Sequence, residues 1–378
     1  MTTHIDRLLT PCILEAHQYF PVTVITGPRQ SGKTYLCKHL FPDYAYVNLE
    51  DIGLRAAATE NPSGFLESQG KTVIIDEVQN VPQLLSMIQV KVDEDSERHY
   101  ILTGSSNFSL LHNISQSLAG RSALFTLLPF SLKETGSKTE GFSIEKILLD
   151  GLYPRVITHS IPFDLYYRSY YNTYVERDLR DLLKVKNILA FDKFMRLLAS
   201  RIGSEFNAAA LAREAGVSSV TVKEWVSILM TSYIAFPLRP YYTNLSKRMV
   251  KMPKIYFFDT GLACFLLGID SEEKMRTHHM RGALFENLAI CELFKERLNK
   301  GKEPRIYFYR EASGLEVDAV VEQGSELQLY EIKSGETFHT DYTKNMKEMS
   351  AQISMPTSAH VIYNGEAIPP LALNIRDI

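Results

Sequence analysis

The chain has 378 residues, of which 45% are hydrophobic and 22% are charged, and a formal net charge of −3. This composition is typical of a soluble globular protein, and the length predicts two or three domains. The charge is uneven: residues 1–150 hold 12 Lys or Arg against 17 Asp or Glu, whereas residues 190–260 hold 10 against 5. A basic segment in an acidic chain indicates either contact with nucleic acid or a solvated face.

Cysteine usage and hydropathy indicate the compartment. Neither metal-ligand spacing nor a disulfide framework is found among the four cysteines, which are Cys12, Cys37, Cys264 and Cys291. There is no secretory signal and no apolar run long enough to cross a bilayer. We therefore expect a cytoplasmic protein without a membrane partner.

The segment from Gly27 to Thr34 reads G-P-R-Q-S-G-K-T, between an apolar strand at 22–26 and a helix-compatible segment at 35–40. The glycines let backbone N–H groups converge on a β-phosphate, and the helix N-terminus adds its dipole. Lys33 would place its charge on the β- and γ-phosphates, and Thr34 would offer a hydroxyl to Mg²⁺. The pattern predicts nucleoside triphosphate binding by Gly27, Pro28, Arg29, Gln30, Ser31, Gly32, Lys33 and Thr34.

Three further positions predict hydrolysis rather than binding alone. An apolar strand at 71–75 ends in Asp76 and Glu77. Asp76 is expected to hold the Mg²⁺ shell, often through water, and Glu77 to polarise an attacking water. Arg121 follows a small-residue turn and is expected to stabilise the transition-state charge, in cis or in trans, and a surface arginine is the alternative.

The alternation of strands and helices predicts a parallel sheet wrapped by helices, with the nucleotide at the carboxyl ends of the strands. A third strand at 99–107 ends in small polar residues, which either approach the γ-phosphate or form a plain turn. The stretch 133–145 is rich in Gly, Ser, Thr, Lys and Glu and predicts a loop or an insertion.

This half resembles the AAA-type P-loop ATPases, in particular a bacterial and archaeal family related to the signal-transduction NTPases. The motifs that carry the resemblance lie at 27–34, 46–51, 75–79, 102–105 and 118–121. Residues 151–154 depart by one residue from the family's G-G-Y-P, where no phosphate contact is implied. The resemblance continues through 174–179 to the C-terminus and covers nearly the whole chain. It implies ATP as the nucleotide, with Mg²⁺.

Residues 207–229 read as a helix-turn-helix, in which Ala212 lets two helices approach, Gly216 makes the turn and Val222 packs inward. Two following strands with a tight connection would form a wing. Few groups on the second helix suit base edges, but four basic residues cluster on the wing: Lys247, Arg248, Lys251 and Lys254. They predict contact with the backbone of DNA or RNA. A winged helix in AAA-type enzymes often relays nucleotide state instead, so both interpretations stay open.

The C-terminal segment carries a second catalytic pattern. Residues 281–290 begin an amphipathic helix with Glu286, and strands are expected at 305–310, 314–321 and 327–334. Side chains two apart in a strand share a face, so Glu331 and Lys333 point the same way. An antiparallel hairpin between the last two strands would bring Asp318 beside them.

Two carboxylates and a lysine on one sheet face are typical of restriction-endonuclease-like phosphodiesterases. Asp318 and Glu331, completed by Glu286, are expected to hold Mg²⁺, and Lys333 to orient water or neutralise the phosphate. The segment resembles the domain of unknown function that follows this ATPase in its family, which has a restriction-endonuclease-like fold. A buried ion cluster without catalysis is the alternative.

The sequence thus predicts an α/β protein with an AAA-type P-loop NTPase sheet, a winged helix-turn-helix and a restriction-endonuclease-like α/β domain. The expected parts are an ATPase core at 1–150, a helical connector at 151–189, the winged helix at 190–268 and the nuclease-like domain at 269–378. The predicted function is an ATP-hydrolysing switch on nucleic acid, coupled to Mg²⁺-dependent phosphodiester cleavage. The alternative is an ATP-gated DNA- or protein-binding regulator with an inactive nuclease-like domain. If Arg121 acts in trans, the active form is a homo-oligomer.

Overall fold

The computed structural model describes residues 4–105, 117–173, 187–242 and 252–378. In the N-terminal part, five parallel strands form a sheet in the order β2-β3-β4-β1-β5. They are β1 (Val22–Gly27), β2 (Ala45–Asn48), β3 (Thr72–Asp76), β4 (His99–Ser105) and β5 (Ser122–Thr126). Every residue of β1 is buried, as the apolar sequence of this central strand predicts. The predicted parallel sheet is confirmed, and its strand ends meet at one edge.

Helices cover the faces of this sheet and continue beyond it. Those of the N-terminal part are Thr10–His17, Lys33–Leu40, Ile52–Glu60, Pro62–Ser68, Gln83–Glu94, Leu132–Thr139 and Ile144–Asp150. The middle part adds Pro154–His159, Phe163–Tyr170, Ile188–Ala199, Ala208–Ala215, Ser219–Thr231, Thr260–Leu267 and Glu272–Thr277. The last two are Arg281–Asn299 and Lys344–Gln352. No helix within the described ranges has the length and apolarity needed to cross a membrane.

One of these helices corrects the loop expected at 133–145. Leu132–Thr139 is helical because Ser131 and Glu134 form a capping box, in which each side chain accepts from the other residue's backbone N–H. The composition of the stretch favours a loop, but the Ser-x-x-Glu spacing at its start is a helix signal.

A second sheet has seven strands in the order β12-β11-β10-β9-β8-β6-β7. They are β6 (Ala235–Pro240), β7 (Lys254–Phe257), β8 (Ile306–Arg310), β9 (Glu316–Gln323), β10 (Glu326–Lys333), β11 (Thr357–Tyr363) and β12 (Ala372–Asn374). The two strands expected to form a wing, β6 and β7, do pair antiparallel. Strand β6 also pairs with β8, so the two strands form one edge of the C-terminal sheet.

The helices at Ala208–Ala215 and Ser219–Thr231 meet at a tight turn. Gly216 has φ 76° at the end of the first helix, and Ser218 caps the second by accepting from the Thr221 N–H. Ala212 and Val222 are buried. The expected turn and packing residues therefore occupy the expected places. This pair shares one hydrophobic core with residues from Leu128 to Ile375, in which the helix Arg281–Asn299 takes part.

Candidate functional site

The glycine-rich loop begins where β1 ends, at a residue that tolerates no side chain. Gly27 has φ 146°, and a Cβ there would lie 2.2 Å from the carbonyl oxygen of Leu127. Gly32 has φ 94° and immediately precedes the helix that begins at Lys33. Both conformations favour glycine, so backbone geometry explains the two glycines of the motif.

The ammonium group of Lys33 is held inside the loop. The side chain is buried, and Nζ donates to the carbonyl oxygens of Gly27 and Pro28 at 2.9 and 2.8 Å. Burial lowers the pKa of this ammonium, while the nearby carboxylates of Glu77 and Asp76 act to raise it. A phosphate entering the loop would meet this charge together with the first N–H groups of the following helix.

Asp76, the last residue of β3, accepts hydrogen bonds from three hydroxyl groups. Its Oδ2 accepts from Thr34 Oγ1 at 2.7 Å and from the Tyr46 hydroxyl at 2.9 Å, and its Oδ1 accepts from Thr103 Oγ1. Carboxylate and hydroxyl oxygens suit Mg²⁺, directly or through water. The pair of Thr34 and Asp76 therefore fits the ion predicted from the sequence.

Tyr46 and Thr103 are site residues to which the sequence assigned no individual role, although both lie in motifs that it singled out, at 46–51 and 102–105. They lie on β2 and β4, the two strands that flank β3. The order of strands in the sheet is the signal that would have found them, and it cannot be read from one sequence.

Glu77 leaves β3 in an uncommon backbone conformation, with φ 56°. A non-glycine residue in this region costs about 1–3 kcal/mol, and such strain often marks functional sites. The Oε2 atom accepts from the backbone N–H of Ser105 at 3.4 Å and from its Oγ at 3.2 Å, and also from Gln79 Nε2. The carboxylate borders the same cavity as Lys33, which is where water polarisation would require it.

A cavity of about 740 Å³ opens on the loop. Its far wall comes from the helix Pro154–His159 and contains Pro154, Arg155, Thr158 and His159. Pro154 Cγ would lie 3.8 Å from a Cβ placed on Gly32. The motif at 151–154 therefore ends beside the candidate nucleotide cavity, which the sequence interpretation had not anticipated.

Arg121 lies at the N-terminal end of β1, whereas the phosphate loop follows the C-terminal end of that strand. Its carbonyl accepts from the Val22 N–H at the start of β1. Its guanidinium binds both carboxylate oxygens of Asp93, at 2.6 and 2.8 Å. Because a strand rises about 3.3 Å per residue, Arg121 is separated from the loop of its own chain by the length of β1. A role in cis is therefore wrong for this arrangement, and a role in trans stays a prediction.

The C-terminal sheet brings together three residues predicted from the Asp…Glu-x-Lys spacing. Strands β9 and β10 pair antiparallel, and Lys333 Nζ lies 2.6 Å from Glu331 Oε1 and 3.9 Å from Asp318 Oδ2. The backbone N–H of Ile332 donates to Asp318 Oδ2 at 2.8 Å. The expected hairpin therefore forms and places the three side chains in one cleft.

Glu286 and Lys254 reach the same cleft from other elements. Glu286, on the helix Arg281–Asn299, accepts from the Tyr256 hydroxyl and lies 3.6 Å from Lys254 Nζ. Lys254 also forms an ion pair of 2.7 Å with Glu316. Its side chain is only 5% exposed, so the prediction that Lys254 contacts a nucleic-acid backbone from the wing is wrong. Lys247, Arg248 and Lys251 lie outside the described residues.

Burial and mutual repulsion raise the pKa values of these carboxyl groups, and the lysines of the cleft oppose this effect. Burial first, and the charge of Asp318 second, raise the pKa of both Glu286 and Glu331 to about 7. Burial also raises the pKa of Asp318, against the lowering effect of Lys333.

The cleft is not arranged as a metal centre. In the part of the chain that the structure describes, no three His, Cys, Asp or Glu side chains converge closely enough to hold a metal ion. Lys254 and Lys333 pair with the carboxylates instead. Glu331 Oε2 is buried without a hydrogen-bond partner, so one carboxylate oxygen of the cleft is available to accept a hydrogen bond or bind a cation. The predicted set of Glu286, Asp318 and Glu331 does not fit Mg²⁺ in this arrangement.

Family comparisons agree with the geometry of the N-terminal site. Residues 19–136 match the model of an AAA domain. These observations support a P-loop ATPase. Outside this ATPase domain, residues 141–273 match a domain of unknown function (DUF8612) and residues 281–377 match another (DUF4143). Neither of these two descriptions assigns an activity.

Similar proteins extend along most of the chain. An uncharacterized protein of Mycobacterium tuberculosis is 28% identical over 357 residues, covering 93% of this chain and 78% of the relative. An uncharacterized protein of Methanocaldococcus jannaschii is 23% identical over 339 residues, covering 79% of this chain and 72% of the relative. Among solved structures, a Walker-type ATPase of Pyrococcus abyssi is 15% identical with a TM-score of 0.43, covering 70% of this chain and 96% of that one.

Proposed function

We propose that this P-loop ATPase hydrolyses ATP and uses its nucleotide state to control the C-terminal cleft, which acts on nucleic acid. The observation that carries the proposal is the position of Asp76 and Glu77. The first is bonded to Thr34 of the loop, and the second borders the cavity beside Lys33. A loop that binds phosphate and a carboxylate that faces the same cavity are the two parts that hydrolysis needs.

Each residue of the site has a distinct task in this reaction. Lys33 binds the β- and γ-phosphates, and the loop N–H groups orient them. Thr34 and Asp76 would hold Mg²⁺, which when bound neutralises developing phosphate charge. Glu77, fixed by Ser105, orients and polarises the attacking water. Arg121 would act only in a neighbouring copy, so the proposal includes a homo-oligomer.

Two buried contacts support control of the C-terminal cleft by the nucleotide. The helix Arg281–Asn299 carries Glu286 at the cleft and Glu292 and Lys295 nearer its other end. Glu292 Oε2 accepts from the Leu132 N–H at 2.7 Å, and Lys295 Nζ donates to the Phe130 carbonyl at 2.8 Å. Phe130 borders the nucleotide cavity. One helix therefore carries a residue of the cleft and contacts the segment that borders the nucleotide cavity, which is the kind of physical connection that coupling requires.

Tyr233, which follows the second helix of the helix-turn-helix, contributes a further contact to the strand that leads into the phosphate loop. The Tyr233 hydroxyl lies 3.1 Å from Thr26 Oγ1 and 3.3 Å from Thr126 Oγ1. Thr26 immediately precedes Gly27 of the loop. This contact favours the interpretation of the segment as a relay of nucleotide state over that of a base-reading module.

The action of the C-terminal cleft on nucleic acid is the less constrained half of the proposal. Phosphodiester cleavage is supported by the convergence of Asp318, Glu331 and Lys333 in one cleft, the pattern expected for a restriction-endonuclease-like fold. Against it, the carboxylates among the described residues do not form the Mg²⁺ site that this pattern uses. The alternative is an ATP-gated DNA- or protein-binding regulator with an inactive cleft. It is supported by the ion pairs that Lys254 and Lys333 form with the carboxylates.

A reducing, cytoplasmic location is consistent with four free cysteines.

Purified protein, with Lys33→Ala and Glu77→Gln variants, tests the ATPase half. We expect the wild type to release phosphate from ATP, Lys33→Ala to lose ATP binding, and Glu77→Gln to bind ATP without hydrolysing it. ATP binding without hydrolysis by the wild type would contradict the proposal.

Incubation of plasmid DNA and single-stranded RNA with Mg²⁺ or Mn²⁺ tests the cleft. Cleavage that disappears in Asp318→Ala and changes in Lys33→Ala supports the enzyme. Intact nucleic acid, together with ATP-dependent binding that weakens with salt, supports the regulator. Absence of both cleavage and binding would refute the nucleic-acid half alone.

A further inference from the structure

Arg7 is a buried cation beside the phosphate loop. It precedes the helix Thr10–His17, and its side chain is 7% exposed. Its guanidinium lies over the Phe130 ring, 4.7 Å from the ring centre. An arginine is rarely buried to this extent without partners, so its acceptors indicate what it does.

Each nitrogen of the Arg7 guanidinium has one acceptor. Nη1 donates to the Ser31 carbonyl oxygen at 3.1 Å, Nη2 to the Leu128 carbonyl oxygen at 2.6 Å, and Nε to Glu134 Oε1 at 3.0 Å. Ser31 belongs to the phosphate loop, and Leu128 follows β5. A planar, three-way donor therefore ties the loop to the segment beside it.

The contact with Ser31 has a consequence for the next residue. A trans peptide is planar, and its C=O and N–H groups point in opposite directions. Since Arg7 fixes the direction of the Ser31 carbonyl, it also fixes the direction of the Gly32 N–H. Gly32 lies at the entrance to the helix that starts at Lys33, where N–H groups are aimed at phosphate.

Glu134 holds the guanidinium in place. Its side chain is 0% exposed, and its two oxygens also accept from the backbone N–H groups of Leu8 and Ser131 at 2.9 and 2.8 Å. The carboxylate is thus fully engaged and rigid. The same capping box that starts the helix Leu132–Thr139 fixes the partner of Arg7.

We propose that Arg7 is a positioning residue for phosphate binding, which directs the Gly32 N–H into the phosphate site by holding the Ser31 carbonyl. The inference rests on ATP binding by the loop. Arg7 borders the cavity, but each guanidinium nitrogen already donates to a protein acceptor, so its action runs through the backbone of the loop. Its loss should therefore weaken binding and raise KM for ATP while changing kcat little.

The experiment compares Arg7→Met and Arg7→Lys with Arg98→Met as a matched control. Arg98 is also a buried arginine of the ATPase domain, with a carboxylate partner, Glu67, at 2.6 Å and a backbone acceptor, Gly70, at 3.3 Å. It lies near the start of β4, away from the loop. Equilibrium binding of ATP and ADP, KM and kcat for ATP, and thermal unfolding are measured for each variant.

We expect Arg7→Met to weaken ATP and ADP binding by about tenfold or more, the loss typical of a charge-assisted hydrogen bond. Arg7→Lys should fall between it and the wild type. Arg98→Met should lower the melting temperature while changing affinity by less than about twofold. If Arg7→Met does not fold, Arg7→Lys and Glu134→Gln carry the same test.

Two results overturn the inference and are distinguishable. Unchanged affinity of folded Arg7 variants beside normal wild-type binding would show that Arg7 is purely structural, and would leave the proposed function intact. A wild type that binds no ATP would instead remove the proposed function and the inference with it.

Discussion

Lys254 Nζ lies 2.7 Å from Glu316 Oε1, which joins the first residue of β7 to the first residue of β9. The two strands belong to segments that match different family models. This ion pair makes the C-terminal cleft a shared structure, since one of its counter-ions comes from the segment that includes the helix-turn-helix. Changes in that segment therefore reach the carboxylates directly.

Replacing Lys254 with Met tests this ion pair. Removing one partner of a buried pair leaves uncompensated carboxylates, and the expected loss of stability is about 3 kcal/mol, reduced by the partial exposure of Glu316. Chemical unfolding measures it, and Lys254→Met/Glu316→Gln should recover part of the loss. Lys71→Met is the control, because Lys71 is half exposed in its pair with Glu97 and solvent screens such a pair, so this replacement should change stability little. An equal loss of unfolding free energy in Lys254→Met and Lys71→Met would show that the buried pair stabilises the protein no more than an exposed one.

Replacing Tyr46 with Phe tests the orientation of Asp76. The variant keeps the ring, over which Lys38 Nζ lies at 3.4 Å, and removes only the hydroxyl that donates to Asp76. Groups that orient a metal ligand typically contribute about tenfold to metal affinity. We expect the Mg²⁺ concentration for half-maximal ATP hydrolysis to rise by about that factor, with ATP binding in the absence of Mg²⁺ unchanged. Tyr44→Phe, on a tyrosine bonded to His17 instead, should leave the Mg²⁺ requirement as in the wild type.

The sequence predicted the parallel sheet and the places of Lys33, Asp76 and Glu77 because their signals are local. The phosphate-loop motif, a strand pattern and the residue that follows a strand can each be recognised from a few consecutive residues. Asp318, Glu331 and Lys333 were also predicted to meet, because a hairpin between neighbouring strands is a short-range feature. Hydrophobic periodicity and the spacing of motif residues are enough to predict these features of the fold and the sites.

The parts that were missed depend on long-range packing. Lys254 was assigned to a solvated wing because its neighbours in the sequence are basic. In the structure, its strand β7 pairs with β6, which pairs with β8, and this places Lys254 in the C-terminal cleft. Arg121 was expected to act in cis or in trans, and only the packing shows that the end of β1 next to it is the one away from the loop. The partners of Arg7 are 24 to 127 positions away. Such distances in sequence carry no periodic signal.

Replacing Arg121 with Ala tests action in trans. Since Arg121 lies away from the loop of its own chain, its loss should matter only where a second copy supplies it. We expect hydrolysis per molecule to rise with protein concentration, and Arg121→Ala to lower the plateau by about 10³-fold if it stabilises the transition state. Mixing Arg121→Ala with Lys33→Ala should restore activity, because one copy contributes an intact loop and the other an intact arginine. A concentration-independent rate that is unchanged in Arg121→Ala would assign the arginine to its ion pair with Asp93 alone.

The pH dependence of stability tests the protonation of the C-terminal cleft. The folded-state pKa of Glu286 and Glu331 is raised to about 7, against about 4.3 for Glu in an unfolded chain. Between these values the folded state binds more protons than the unfolded state, so the free energy of unfolding falls as pH rises through this window. Below the unfolded value both states are protonated, and the slope contributed by the cleft vanishes.

Unfolding by urea at several pH values between about 4 and 8 measures this slope. We expect Glu331→Gln to flatten it, since the amide cannot release a proton, and Glu286→Gln to do the same. Glu97→Gln serves as the control, because this glutamate forms an exposed pair with Lys71. A wild-type slope that neither Glu286→Gln nor Glu331→Gln changes would show that Lys254 and Lys333 keep both carboxylates ionised across the window. The cleft would then be a permanent ion cluster, which favours the regulator over the phosphodiesterase.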